Sequence, residues 1–273
     1  MDTVSLSPAH DAVVRLLQIS DPHLYAEEDG RLLGVRTADS FKAVIKAIVD
    51  QKLSFDLVLA TGDLSQDYSA GSYQRFAEAV RPLGKPLFWL PGNHDDGPLM
   101  RNVMPEVGIS NARQILLPHW QVIMLDTQVY GVPHGWIKPD QLSFLEQCLA
   151  SEPDRFALIC LHHHCHPVGC GWLDQHDLKN ANHLLDLLAR YPRSRLVLGG
   201  HVHQEYDRVH NGIRFLTSPS TCIQFMPGCN DFTLDDAGPG WRHLQLYADG
   251  HVATQVWRLP TGSFLPEAFA TGY

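Results

Sequence analysis

The chain has 273 residues, 44% of them hydrophobic and 19% charged, with a formal net charge of -9. No Pro/Gly/Ser-rich stretch, fixed-period repeat or long charge block interrupts it, so residues 1–273 read as a single domain with one large core. The negative balance and the lack of any Lys/Arg cluster exclude a groove for long DNA or RNA, whereas paired divalent cations can still draw in a small phosphate ester locally.

No apolar run approaches the ~20 residues that a bilayer span needs, and Met1 to Asp11 lacks the basic and apolar stretches of a secretory signal. The six cysteines (Cys148, Cys160, Cys165, Cys170, Cys222 and Cys229) form no Cys-x-x-Cys pair, so the expectation is reduced thiols in the cytoplasm. Sixteen histidines, several in tight groups, point towards metal chemistry.

In chain order, Val13 to Ile19 reads as a buried strand. Thr37 is placed to cap a helix with an apolar face of Phe41, Val44, Ile45, Ile48 and Val49, the i, i+3, i+4, i+7, i+8 spacing. Asp56 to Thr61 is the next strand, Ser72 to Val80 a helix and Pro86 to Leu90 a strand, an alternation that implies βαβ units. Val122 to Leu125, Ala157 to Leu161 and Leu196 to Leu198 read as further buried strands. Pro139 suits the first turn of a helix running to Leu149, and Asn182 to Ala189 forms another. Beyond His203, Asn211-Gly212 and Asp249-Gly250 are two-residue hairpin turns between strand-like runs.

The chemistry lies in the residues just past the strand ends. Asp21-x-His23 succeeds the first strand, Gly62-Asp63 the second, Gly92-Asn93-His94-Asp95 the third, His162-His163-His164 the run from Ala157, and Gly199-Gly200-His201-x-His203 the run from Leu196. Ligand sites in α/β sheets lie at the carboxyl ends of strands, so all five sets can meet in one crevice. Two neighbouring divalent ions need a bridging carboxylate with nitrogen and oxygen ligands on each side. Each motif is weak alone, since Gly-Asp is commonly a turn. His-x-His is stronger because alternate strand residues share a face. Gly-Asn-His-Asp is the most specific, because a buried polar tetrad has no packing rationale.

This ordered series resembles the calcineurin-like metallophosphoesterase superfamily over about residues 13 to 260. The resemblance implies an α/β fold, a four-layer αββα sandwich of two mixed β-sheets flanked by helices. It implies one metal on Asp21, His23, Asp63 and His203 and a second on Asp63, Asn93, His163 and His201, with Asp63 bridging. Substrate phosphate would lie against His23, Asp63, Asn93, His94, His163 and His203. At the fourth motif the family usually shows His-His-Pro, the first histidine binding metal; here Cys165 occupies the proline position. Counting back from it selects His163, with His162 the alternative. His164, Cys165 and His166 are assigned to local hydrogen bonding or loop packing.

Departures narrow the class. Gln66 stands where a purple acid phosphatase would carry tyrosine, and Asp67-Tyr68-Ser69 replaces the Asp-Arg-Gly of a protein phosphatase. The chain is most similar to the class III 3′,5′-cyclic nucleotide phosphodiesterases, a match that extends to Gly169–His176 and Ser218–Cys222. That implies hydrolysis of cyclic AMP to 5′-AMP by a metal-bridging hydroxide, lowering intracellular cyclic AMP, with His94 protonating the leaving oxygen. Asp95 either orients His94 or closes the turn. Trp172 and Phe225 are either base-stacking surfaces or core aromatics. Asp, Asn and His ligands suit iron or manganese first, and zinc or cobalt also. Two other readings are a broader phosphodiesterase acting on glycerophosphodiesters or nucleotide-linked esters, and a non-catalytic scaffold, in which ligands would be missing. None is missing here.

Overall fold

The computed structural model of the protein describes residues 2–8 and 12–267. Its two main sheets are both mixed. The five-stranded sheet runs Val252–Arg258, Gly240–Tyr247, Val13–Ile19, Leu57–Ala60, Leu87–Trp89, the last three mutually parallel. The seven-stranded sheet runs Thr3–Ser5, Gln114–Leu116, Trp120–Met124, Phe156–Cys160, Ser194–Gly199, Ile213–Thr217, Tyr206–His210, with four central strands in parallel.

The period of two along each strand builds the layers. Leu16, Leu57, Leu59 and Phe88 from one sheet meet Val122, Leu158, Leu196 and Leu198 from the other in a shared core. The alternate residues Leu17, Ile19, Val58 and Ala60 pack outward on helices α1 (Thr37–Gln51), α2 (Ala70–Val80) and α3 (Gly97–Glu106). On the far side Ile123, Ile159 and Val197 pack on α4 (Pro139–Ser151) and α5 (Ala181–Ala189). The order is therefore helix, sheet, sheet, helix, the αββα sandwich expected. Each Leu or Phe buried here contributes about 1.5–3 kcal/mol; Phe41 of α1 and Phe76 of α2 stack with centroids 5.5 Å apart.

Several local expectations are corrected. Thr37 is the first helical residue, and Arg36 at the cap position supplies no side-chain bond. Val49 is 43% exposed because five apolar positions sweep an arc wider than the face the sheet covers. Helix α3 starts at a further signal, Asp96 capping the N–H of Leu99 with proline in the first turn. Asn211 and Gly212 both have positive φ, as a two-residue hairpin requires. At Asp249-Gly250 the strands stop at Tyr247 and resume at Val252, so the loop is longer than two residues and only Gly250 turns left-handed.

Candidate metal centre

The carboxyl ends of three strands of the smaller sheet and two of the larger lie at the same edge of the sandwich. Buried Gln18 joins them, donating from Nε2 to Thr61 Oγ1 at 2.9 Å and to the Gly199 carbonyl at 2.8 Å. The Asp21 amide donates to the Gly62 carbonyl and the His23 amide to the Asp63 carbonyl, both at 3.0 Å, while the Gly200 amide donates to the His162 carbonyl at 3.0 Å. A side chain on Gly92 would collide with the Asp63 carboxylate, so only glycine fits there. Asp21, His23, Asp63, His201 and His203 all hold positive φ, between 49° and 68°. Backbone strain in non-glycine residues gathers where function over-determines the geometry.

These loops bring the sequence-derived residues together. Three sets have ligand atoms within 4.8 Å of one another: Asp21, His23 and His203; Asp21, Asp63 and His162; His162, His163 and His201. All seven of these residues are buried. His23 Nε2 lies 3.2 Å from His203 Nε2, and His203 Nε2 3.4 Å from Asp21 Oδ1. His162 Nε2 lies 3.2 Å from Asp63 Oδ2 and 3.1 Å from Asn93 Oδ1, so Asn93 joins the group.

The far ring nitrogens are held by groups outside the cluster. His23 Nδ1 meets Gln66 Oε1 at 2.7 Å, His203 Nδ1 the Ile223 carbonyl at 3.0 Å, His162 Nδ1 the Thr61 carbonyl at 2.8 Å, and His163 Nδ1 Thr127 Oγ1 at 2.8 Å. On His23 and His203 the oxygen at Nδ1 accepts its proton, the tautomer that leaves Nε2 a lone pair facing the cluster. Burial holds His23, His163 and His201 well below the usual histidine range, so these rings are neutral, the form that ligates. Burial also acts to lower His162, but the Asp63 and Asp21 carboxylates outweigh it and raise the ring to about 9. Burial alone would raise Asp63, and His162 and His94 hold it well below the carboxylate range.

His163 Nε2 and His201 Nε2 are buried without a hydrogen-bond partner among the described residues. Each such atom costs about 1–3 kcal/mol, and a cation between them would offset that cost. The donor set of carboxylate, imidazole and amide oxygen fits two ions.

His94 is only partly buried, its amide donating to Asp63 Oδ1 at 2.8 Å and its ring edge-on to His23 at 5.2 Å. The Asp95 carboxylate accepts the amides of Gly92 and Ser65 at 2.9 Å and of Leu64 at 3.2 Å. Of the two roles open to it in the sequence, this bonding fits closing the turn and stitching it to the Asp63 loop.

A sequence profile of the calcineurin-like phosphoesterases matches residues 14–205. The chain belongs to that family. Its members use a dinuclear metal centre, and the clusters above are where this member can hold one. Among its relatives, the 3′,5′-cyclic adenosine monophosphate phosphodiesterase CpdA of Vibrio vulnificus is 50% identical over 95% of both chains. The protein of the same name from Pseudomonas aeruginosa is 43% identical over the full length of both. A dimetal phosphatase from Danio rerio superposes with a TM-score of 0.61 at 14% identity, covering 89% of this chain and 99% of its own, a likeness of fold.

Within this family member, sequence reading passes over the outer partners. Thr127 follows a sixth strand end, after Met124, that carries no metal motif, and Gln128 beside it donates to the Gly92 carbonyl at 2.7 Å. The polar Asp126-Thr127-Gln128 run directly after a buried strand is the available signal. In the sequence Gln66 stands out only as a missing tyrosine. Of the two aromatics singled out, Phe225 is 1% exposed and Trp172 packs edge-on against it and Phe232, so both belong to a core cluster. His164 is buried, its Nε2 3.3 Å from Asp174 Oδ1, which ties the His162–His164 loop to the Gly169–His176 segment.

Proposed function

We propose that this protein hydrolyses 3′,5′-cyclic AMP to 5′-AMP at two divalent ions, one on Asp21, His23, Asp63 and His203 and the other on Asp63, Asn93, His163 and His201. The observation that carries the reading is the meeting of these buried groups at one sheet edge, with unpartnered His163 and His201 ring nitrogens, in a chain 43–50% identical over nearly its whole length to enzymes named for this reaction. The ions would supply Lewis acidity and a nucleophile at neutral pH.

The chain's own residues do the rest. His163 is preferred over His162 because its Nε2 lacks a partner, whereas His162 Nε2 already faces Asn93 and Asp63 and serves to orient them. His94, the least buried of the group, gives its proton to the 3′ oxygen as the phosphorus–oxygen bond breaks, since an alkoxide leaves poorly. A water oxygen bonds to phosphorus on the face opposite the departing 3′ oxygen, and the proton that water releases restores His94. Asp95 holds the turn that presents Asn93 and His94.

Iron or manganese is the preferred native pair, with zinc or cobalt fitting the same donors. The chain reads as one domain with a core over about 13–260, acting in the cytoplasm on a small cyclic nucleotide. No described helix is long and apolar enough to cross a membrane.

The test is purified protein loaded with each metal and given cyclic AMP, bis(p-nitrophenyl) phosphate and a glycerophosphodiester, with products separated by chromatography. The expected result is 5′-AMP, formed faster than either other product. Preferred turnover of the glycerophosphodiester would move the reading to a broader phosphodiesterase, a 3′-AMP product would reverse the leaving group, and no turnover with any metal would leave a scaffold.

A further inference from the structure

Three aromatic side chains stand well exposed among the described residues: Tyr68, Tyr130 and Trp136. Tyr68 is 41% exposed and Tyr130 79%, yet their rings meet, with centroids 6.4 Å apart and planes 55° from parallel. The pair therefore presents two adjoining aromatic rings to solvent.

Both rings stand on loops anchored to the metal centre. Tyr68 directly follows Asp67, whose carboxylate accepts the amides of Ala26 at 2.7 Å and Ser69 at 3.1 Å, and lies three residues beyond Ser65, whose amide donates to Asp95. It holds φ at 56°, a left-handed conformation costly for a bulky side chain and shared here with five of the ligand residues. Burial, and then the Asp63 carboxylate, raise its phenol above the usual value. Tyr130 lies two residues beyond Gln128, which donates to the Gly92 carbonyl, and three beyond Thr127, which meets His163.

The aromatics deeper in the site are already engaged. Phe225 lies flat on His203 at 4.3 Å, and Trp172 packs edge-on against Phe225 and Phe232 at 4.9 and 5.2 Å. Phe225 is fully buried, and Trp172 is partly buried and packed on the same cluster.

We propose that Tyr68 and Tyr130 are the jaws that take the nucleobase of the substrate while its cyclic phosphate sits at the metal centre. The proposal rests on the cyclic-nucleotide reading above. A ring sandwiched at van der Waals contact needs about 7 Å between its neighbours, so the pair opens by less than about an ångström and rotates into line. Stacking is tolerant because every base has a π face. The jaws therefore select nucleotides over base-free esters and do not separate adenine from guanine.

The test compares cyclic AMP, cyclic GMP and base-free ribose 3′,5′-cyclic phosphate in wild type, Tyr68→Ala, Tyr130→Ala, Tyr68→Phe and Tyr130→Phe, with metal content measured for each. Each alanine variant is expected to raise KM for both cyclic nucleotides about 10- to 100-fold, to move KM for the base-free ester by no more than about twofold, and to keep its metals. The phenylalanine variants keep nucleotide KM near wild type. Alanine variants with unchanged nucleotide KM, or with equal losses on the base-free ester, overturn the jaws while leaving cyclic AMP hydrolysis standing. Wild-type protein that opens the base-free ester but not cyclic AMP overturns both.

Discussion

Phe225 lies flat against His203, with ring centroids 4.3 Å apart and planes 8° from parallel. Two residues earlier in the chain, the Ile223 carbonyl accepts from His203 Nδ1 at 3.0 Å. One short segment, held in a two-stranded ribbon with Leu234–Asp235, thus fixes both the tilt and the tautomer of this imidazole and turns Nε2 towards Asp21 and His23.

Phe225→Leu keeps apolar bulk but loses the flat face. Its expected effect is a 10–100-fold weaker affinity for the ion on the His203 side, roughly the worth of an outer-shell partner, read by titration against a competing chelator. Phe225→Ala should also lose about 3–5 kcal/mol of stability, seen as a lower denaturant midpoint. Unaltered metal affinity in the leucine variant would reduce the stack to core packing.

The histidine pair offers a sharper contrast. His163→Ala is expected to lose one metal equivalent and nearly all activity. His162→Ala should keep both ions and lose roughly 10–100-fold in activity, because it positions Asp63 and Asn93 without holding an ion itself. Metal analysis by elemental emission decides it, and the reverse pattern would move the ligand by one residue.

His94→Ala should retain its metals and slow cyclic AMP hydrolysis by roughly 10²–10⁴-fold, the usual worth of a general acid. The loss should shrink on bis(p-nitrophenyl) phosphate, whose nitrophenolate departs without a proton. Equal damage to both substrates would leave His94 an electrostatic stabiliser of the phosphoryl oxygens.

The proposed ligands are legible in the sequence because buried strands are continuous apolar runs, so a polar residue just past the end stands out. Asp21, Asp63 and His201 each follow such a run. The two sheets are harder to assign, because the same apolar run suits either one, and the layers emerge only from which neighbours each alternate residue meets, as Leu16 and Leu17 illustrate. The groups that hold the ligands are not legible. The acceptors on His162 and His203 are backbone carbonyls of Thr61 and Ile223, and every residue carries a carbonyl. The exposed Tyr68–Tyr130 contact joins residues 62 positions apart in two loops, where no periodicity operates. Helix α3 is obscured by Pro105 in its last turn, where proline usually argues against a helix.

Asp63 is the one residue placed on both ions, so metal content and cyclic AMP turnover of Asp63→Ala, measured on a single preparation beside wild type, test the account most directly. Wild type should hold two equivalents and form 5′-AMP. The variant should lose most of both ions together with its activity. Two full equivalents in Asp63→Ala, whatever its activity, would contradict a bridged pair.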